Sequence, residues 1–110
     1  MVLHDTADFV LLVGGQIQLA RQGSETTARE QAARRRLALA EKTLNIAQQN
    51  HEAERARFEL GQSIAIQVQE VEDSVRRARL RVARARVDLA QAEAELLHLA
   101  GRLTSRYARV

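Results

Sequence analysis

Two short motifs in this chain contain residue types that bind metal ions on helices. His51-Glu52 opens like the zinc-protease motif, in which two histidines four residues apart bind zinc and the glutamate acts as a general base. Position 55 is occupied by Arg, so the second histidine is missing. Glu95 and His98 have the Glu-x-x-His spacing of one half of a di-iron site in a helical bundle, but the chain contains no second such pair. We therefore predict no metal site.

Other kinds of catalysis are not indicated either. The sequence has no glycine-rich phosphate loop and no serine nucleophile elbow. It has no Cys, which excludes a disulfide framework and a thiolate zinc site. We predict a protein that is not an enzyme and that binds no cofactor.

Six arginines are concentrated between positions 76 and 86, in a chain of net charge +3. Such a cluster is compatible with binding to nucleic acid or to an anionic membrane surface. The six positions are spread around a helix, and no aromatic residue accompanies them for base stacking. Acidic residues three or four positions away are available to pair with them. An ion-paired or solvated surface is favoured, and nucleic acid is not a favoured partner. The members of the cluster are Arg76, Arg77, Arg79, Arg81, Arg84 and Arg86.

The composition predicts one all-α domain built from long helices. The 110 residues include no Pro and three aromatic residues, and Ala, Arg, Leu, Glu and Gln predominate. No run of about 18 apolar residues is present, so we expect no membrane-spanning helix. Residues 1–20 make a poor signal peptide, because Asp5 and Asp8 precede their short apolar run and no basic residue does.

An uninterrupted apolar heptad pattern in residues 68–103 predicts a helix that lies along another helix. Apolar residues recur at alternating spacings of three and four, which keeps one side of a helix against its partner. One position of the repeat is large and the other is mostly Ala, so two backbones can approach closely. We name this side the C-terminal seam; its members are Val68, Val71, Val75, Ala78, Val82, Ala85, Leu89, Ala92, Leu96, Leu99 and Leu103.

The first half of the chain carries a matching set of residues, which we name the N-terminal seam. Residues 1–23 are predicted to be a lead-in, either a short helix or an extended segment, that ends at Gly23. Thr27 and Glu30 fit a capping box at the start of the long helix that follows. His51 is either a pH-sensitive contact in this seam or a polar residue tolerated near a helix end. The members of the seam are Ala33, Leu37, Ala40, Leu44, Ala47, His51, Glu54 and Phe58.

Gly61 and Ser63 predict a turn between two long helices. Glycine can take the left-handed conformation that ends a helix, and serine can cap the next helix. Gly101 is predicted to end that second helix. The predicted fold is therefore a long antiparallel helical hairpin, a coiled coil, over residues 24–110 with its turn near 61–63. The alternative is one continuous helix that tolerates Gly61 at a cost of about 1 kcal/mol.

Each predicted helix carries a further apolar stripe away from its seam. A helix in a simple two-helix hairpin needs only one apolar face, so a second stripe predicts neighbours on both sides, as in a larger helical bundle or barrel. The alternative is that alanine on a surface costs nothing and carries no information. The stripes consist of Leu39, Ile46, Ala53 and Leu60 in the first helix and of Leu80, Ala83, Val87, Ala90, Ala94 and Leu97 in the second.

Residues 53–103 resemble the TolC-like outer-membrane efflux protein family. In that family an aromatic residue, two further residues and a Gly mark the turn of a helical hairpin, and a long Ala-rich helix that ends in a Gly follows. The matching residues are Arg57-Phe58-Glu59-Leu60-Gly61-Gln62-Ser63, Val68, Ala83-Arg84-Ala85-Arg86, Leu96 and Ala100-Gly101-Arg102-Leu103.

The resemblance implies a homo-oligomer, a trimer or higher, whose helices form the wall of a conduit across the periplasm at the outer membrane. It also implies that the turn docks onto a periplasmic adaptor protein. A chain with one hairpin would be a fragment of such a channel or would build a ring from several copies. The implied docking residues are Arg57, Phe58, Gly61, Gln62 and Ser63.

The alternative function is that of a stand-alone coiled-coil interaction module that self-associates and is cytoplasmic. A basic nucleic-acid or membrane-surface binder is less favoured. In either of the first two cases the contacts between helices are expected at Leu37, Leu44, Val68, Val75, Val82, Leu89, Leu96 and Leu103.

Overall fold

A computed structural model of the chain contains two helices and confirms the hairpin fold. It describes residues 2–108, with side chains described for residues 6–105. The first helix, α1, spans Val2–Glu59, and the second, α2, spans Ala65–Ala108. No strand occurs among the described residues. Neither described helix contains a stretch that is both apolar enough and long enough to cross a membrane.

The predicted start of the first long helix is wrong, because α1 runs without a break through Gly14, Gly15 and Gly23. The Thr27 hydroxyl donates to the carbonyl oxygen of Gly23 at 2.8 Å, a bond made inside a helix and not at an N-cap. A glycine inside a helix costs about 1 kcal/mol relative to alanine, a penalty that tertiary packing can exceed. That packing is present, because Thr26 and Glu30 are only 7% and 9% exposed.

The predicted end of the second helix is also wrong. Gly101 lies inside α2, which continues to Ala108. Leu103, two residues beyond this glycine, is half-buried. Because side chains are still partly buried after Gly101, packing can stabilise the helix beyond this glycine.

The described chain forms two compact units, and the larger one comprises residues 32–91. In this unit Glu41 of α1 lies 3.9 Å from Arg86 of α2, and His51 lies 3.7 Å from Glu72. An advance of ten residues along α1 (41 to 51) thus accompanies a retreat of fourteen along α2 (86 to 72), which is antiparallel pairing. The core of the unit contains Ala47, Val75 and Ala78, with Leu44 packed against them.

The other unit combines α1 as far as Gln31 with α2 from Ala92 onward. Arg29 donates to the Glu95 carboxylate at 3.3 Å on its surface. Ala92 and Leu99 are buried in it. A β-carbon placed on Gly23 would lie 4.0 Å from a methyl group of Leu99, an ordinary van der Waals contact, so the two helices of this unit face each other at this position.

The core of each unit is thin because only two helices contribute to it. Taken over both units, seven of the eight buried apolar residues described are alanines or valines. Since hydrophobic stabilisation scales with the apolar area removed from water, a core of small side chains stabilises the hairpin only modestly. Many large apolar side chains are left exposed on the outside of the helices.

Candidate assembly interface

The predicted seam residues of α2 lie between the two helices of the hairpin. All eleven members of the C-terminal seam are buried or half-buried, whereas Glu72 and Ser74 are the other α2 residues with described side chains that are not exposed. Leu37 and Leu44 of α1 are half-buried. These residues hold the hairpin together, and the surfaces left for partners must be sought elsewhere.

The N-terminal seam differs from its predicted extent at both ends. Phe58 is 45% exposed, so the seam ends at Glu54. Toward the N-terminus the buried side continues through Leu19, Gly23, Thr26 and Glu30. Their spacings of four, three and four match the seam, but two of them are polar and one is glycine, so a search for apolar residues finds only Leu19.

The outward stripe of α2 is a row of apolar residues that the hairpin leaves uncovered. Leu80, Val87 and Leu97 are 52%, 56% and 73% exposed. Ala83, Ala90 and Ala94 between them are exposed as well. At about 100° per residue, this side of the helix lies roughly 140° around the axis from the C-terminal seam. It therefore faces away from α1.

The outward side of α1 is different, because it is mostly polar. In the hairpin of residues 32–91 the α1 positions directed away from α2 are Ala38, Lys42, Asn45, Gln49, Glu52 and Ala56, and all are exposed. Leu39 and Ile46 are exposed on the flank of the helix. The two long edges of this hairpin therefore differ in chemistry.

Leu39 and its neighbours form a shallow groove on one flank of the larger unit. The groove has a volume of about 320 Å³, and Ala40 and Ala85 lie in it beside Leu39. Arg36, Arg81, Arg84 and Asp88 are its charged lining residues. Its surroundings are therefore positively charged.

The turn between the helices comprises residues 60–64 and is built around Gly61. Gly61 has a φ of 75°, its N–H donates to the Phe58 carbonyl at 3.0 Å, and the Gln62 N–H donates to the Arg57 carbonyl at 2.8 Å. This pair of bonds is the Schellman arrangement that ends a helix with a left-handed residue. It fixes the direction in which the chain leaves α1.

Ser63 does not cap α2, contrary to the prediction. The Ile64 carbonyl accepts from the N–H groups of Gln67 and Val68 at 3.1 and 3.3 Å, which makes Ile64 the residue that precedes the first helical turn. The Ser63 hydroxyl instead donates to the Glu54 carboxylate, across the turn. Arg57 lies 3.6 Å from the same carboxylate, so Glu54 connects the turn to the end of α1.

The tip of the hairpin presents apolar side chains to its surroundings. Phe58, Leu60, Ile64 and Ile66 are all exposed large hydrophobic residues. Four such side chains next to one turn form an apolar patch of the kind that marks interaction sites. Of the predicted docking residues, Phe58 belongs to this patch, while Arg57, Gly61, Gln62 and Ser63 shape the turn.

The N-terminal part of α1 is a third exposed apolar region. Phe9, Val10, Leu11, Leu12 and Val13 are consecutive and exposed, and Ile17 follows one turn later. Five consecutive residues cover all sides of a helix, so no single partner helix can cover this region. The sequence alone draws attention to the apolar run but not to its helical conformation.

The residues of the two motifs that resemble metal sites either contact other side chains or are exposed. Glu95 is engaged with Arg29, and His98 is exposed. Nε2 of His51 is buried without a hydrogen-bond partner, 3.7 Å from Glu72. Among the described residues no group of three or more histidine and acidic side chains is placed to hold a metal ion.

The arginine cluster of α2 is exposed and partly ion-paired. Arg76 donates to the Asp73 carboxylate at 3.2 Å, and Arg86 lies 3.9 Å from Glu41. Arg76 and Arg79 line one flank of the larger unit beside His51, whereas Arg81 and Arg84 line the groove beside Leu39. The cluster is thus divided between two flanks and forms no single basic face.

Comparison of the chain with protein-family models, with curated proteins and with solved structures finds no match.

Proposed function

We propose that this chain is a structural assembly module, in which the hairpin packs beside further helices and does no chemistry of its own. The observation that carries the proposal is the outward stripe of α2, which recurs at intervals of three and four residues and whose large members Leu80, Val87 and Leu97 are exposed. Burying such a stripe against another helix removes apolar area from water, at roughly 25 cal/mol per Å².

In the form suggested by the resemblance to TolC-like proteins, several copies place their hairpins side by side as the wall of a conduit, and the tip docks onto a periplasmic adaptor. The apolar tip formed by Phe58, Leu60, Ile64 and Ile66 supports a docking role. A homo-oligomer of three or more copies is the assembly proposed for this form.

The second candidate is a self-associating coiled-coil module that forms no wall. It is favoured by the polar outward side of α1, which carries Lys42, Asn45 and Glu52. A closed ring needs an adhesive surface on both edges of each hairpin, whereas a two-fold dimer needs one surface used twice.

Sedimentation velocity over a wide range of concentration tests the common part of the proposal. We expect a species larger than the monomer to appear as concentration rises, because the stripe is covered only in the assembly. A chain that stays monomeric at about 1 mM would contradict both forms. A limiting species of two copies would favour the coiled-coil module, and three or more would favour the wall.

A further inference from the structure

We propose that the outward stripe of α2 binds the same stripe of a second copy of this chain, with the two α2 helices antiparallel. The stripe comprises Leu80, Ala83, Val87, Ala90, Ala94 and Leu97. The inference rests on the proposed self-association and deepens it, because it names the partner surface and its orientation.

The spacing of the stripe is that of a second seam. Its residues follow one another at intervals of three and four, as the C-terminal seam does, and all six lie on the uninterrupted helix α2. At about 1.5 Å per residue the stripe is roughly 26 Å long. A helix with a heptad repeat facing solvent is shaped to receive another helix along that length.

A second copy of the chain is the favoured partner of the stripe, because the outward side of α1 in the hairpin of residues 32–91 is mostly polar and offers no comparable apolar surface. Packing the stripe against the outward side of α1 would remove water from Lys42 and Glu52, and burying charges without matched partners is costly. Packing it against itself brings only apolar residues to the centre of the contact. A surface that fits itself produces a two-fold dimer.

The charges beside the stripe select the antiparallel orientation. When Leu80 lies opposite Leu97 of the second copy, all six positions of both stripes overlap. Arg86 flanks the stripe, and in this register it lies on the same edge of the contact as Glu93 of the second copy, two residues from the directly opposite Gln91. The two-fold axis repeats this attractive pair. A parallel arrangement would instead make Arg79 a flanking neighbour of Arg84 of the second copy at the edge of the contact, which is repulsive.

The existing neighbour of Arg86 is compatible with this pairing. Its guanidinium lies 3.9 Å from Glu41 of its own hairpin, and both side chains are more than half exposed. A guanidinium carries five N–H donors, so it can contact a carboxylate of each copy.

The length of the stripe limits the affinity. Two helices in contact over about 26 Å cover less than the roughly 800 Å² per partner of a standard interface. We therefore expect a reversible dimer, with a dissociation constant of the order of 10 μM to 1 mM.

Charge reversal in two separate full-length variants tests the proposal by sedimentation equilibrium at low salt. Arg86→Glu and Glu93→Arg each place like charges on the same edge of the contact twice, and we expect the dissociation constant of each variant alone to rise roughly tenfold. An equimolar mixture of the two variants pairs opposite charges again, so its dissociation constant should return to that of the unaltered chain.

Mixing separates the contact between copies from effects inside one hairpin. Any disturbance that a substitution causes within its own chain persists in the mixture, so restored association can come only from the other copy. Lys42→Glu, on the outward side of α1, is the matched control and should leave the dissociation constant unchanged. Circular dichroism verifies that each variant keeps its helix content.

The possible outcomes separate the two proposals. If both variants associate like the unaltered chain, the proposed antiparallel contact is wrong, although self-association stands. If they are weakened and mixing restores nothing, the antiparallel register is wrong. If the unaltered chain never associates, both this inference and the proposed function are wrong.

Cysteine cross-linking checks the orientation independently, since the chain has no Cys. In the antiparallel register Ala83 faces Ala94 of the second copy. Oxidation should therefore cross-link a mixture of Ala83→Cys and Ala94→Cys chains much faster than either variant alone. Rapid cross-linking of each variant with itself would overturn the antiparallel orientation.

Discussion

At the scale of single residues, the turn depends on Gly61 in a way that the other described glycines do not share. Gly61 has a φ of 75°, which side-chain-bearing residues rarely adopt, while a β-carbon on it would meet nothing within 4 Å. The requirement is therefore conformational and not steric. Gly101 also has open space around it but lies in a regular helix.

Gly61→Ala is expected to lower the free energy of unfolding by about 1 kcal/mol or more, because alanine is strained at positive φ. Gly101→Ala is the matched control and should raise it by up to about 1 kcal/mol, since alanine favours a helix. Urea denaturation followed by circular dichroism measures both changes. If the two substitutions changed the free energy of unfolding in the same direction and by the same amount, the left-handed conformation at Gly61 would be contradicted.

His51 is a second residue with a specific role in stability. Its Nε2 is buried without a hydrogen-bond partner among the described residues, at the heptad position that Leu37 and Leu44 occupy earlier in the same seam. His51→Leu should raise the free energy of unfolding by about 1–2 kcal/mol, because an unsatisfied polar atom leaves the seam. The same denaturation experiment measures it.

His98 provides the control for this substitution, since it is exposed and lies off the seam. His98→Leu should change the free energy of unfolding by less than about 0.5 kcal/mol. A loss of stability in His51→Leu would mean that the histidine forms a favourable contact with Glu72 that outweighs its burial.

At the scale of the helix, α2 carries two apolar sides with different tasks. Val82 belongs to the C-terminal seam and is 4% exposed, whereas Val87 belongs to the outward stripe and is 56% exposed. The same residue type thus serves the hairpin at one position and the proposed assembly at another. Substitution by the same charged residue separates these tasks.

Val82→Asp should destabilise the hairpin by roughly 3 kcal/mol or more, because it buries a carboxylate without a partner. Val87→Asp should leave the unfolding of the dilute monomer nearly unchanged and weaken association instead. Thermal unfolding at low concentration and sedimentation at high concentration provide the two measurements. Loss of helix content in Val87→Asp would show that the stripe packs within the hairpin.

At the scale of the whole molecule, the question is whether assembly stops at two copies. The outward stripe of α2 supplies one contact, and a wall of several hairpins needs another. Leu39 and Ile46 are the exposed large residues of α1 in the middle of the larger unit, and Leu39 lies in the groove that Arg36, Arg81 and Arg84 line. They are the positions at which a second lateral contact can be tested.

The paired substitution Leu39→Ser and Ile46→Ser should abolish species larger than the dimer and leave the dimer intact, because it removes apolar area from the flank of α1 alone. Sedimentation velocity at high concentration distinguishes the two species. The control is Lys42→Ser, between these positions. A dimer lost together with the larger species would place Leu39 and Ile46 in the first contact.

The sequence alone determined the fold class and the seam of α2. An unbroken apolar heptad from Val68 to Leu103 predicts a helix that packs one side against another helix. No other regular structure brings residues at alternating spacings of three and four to one side. Gly61 was identifiable as the turn because left-handed backbone is accessible chiefly to glycine.

Only the tertiary structure decided where the helices begin and end and which apolar side stays uncovered. Gly23, Thr27 and Gly101 carry local stop and start signals worth about 1 kcal/mol each. Thr26, Glu30 and Leu103 are buried or half-buried in their unit, and such packing can exceed a local signal of that size. Local signals act on one residue at a time, whereas packing adds over a whole helix face, so the helices continue through every glycine except the one at the turn.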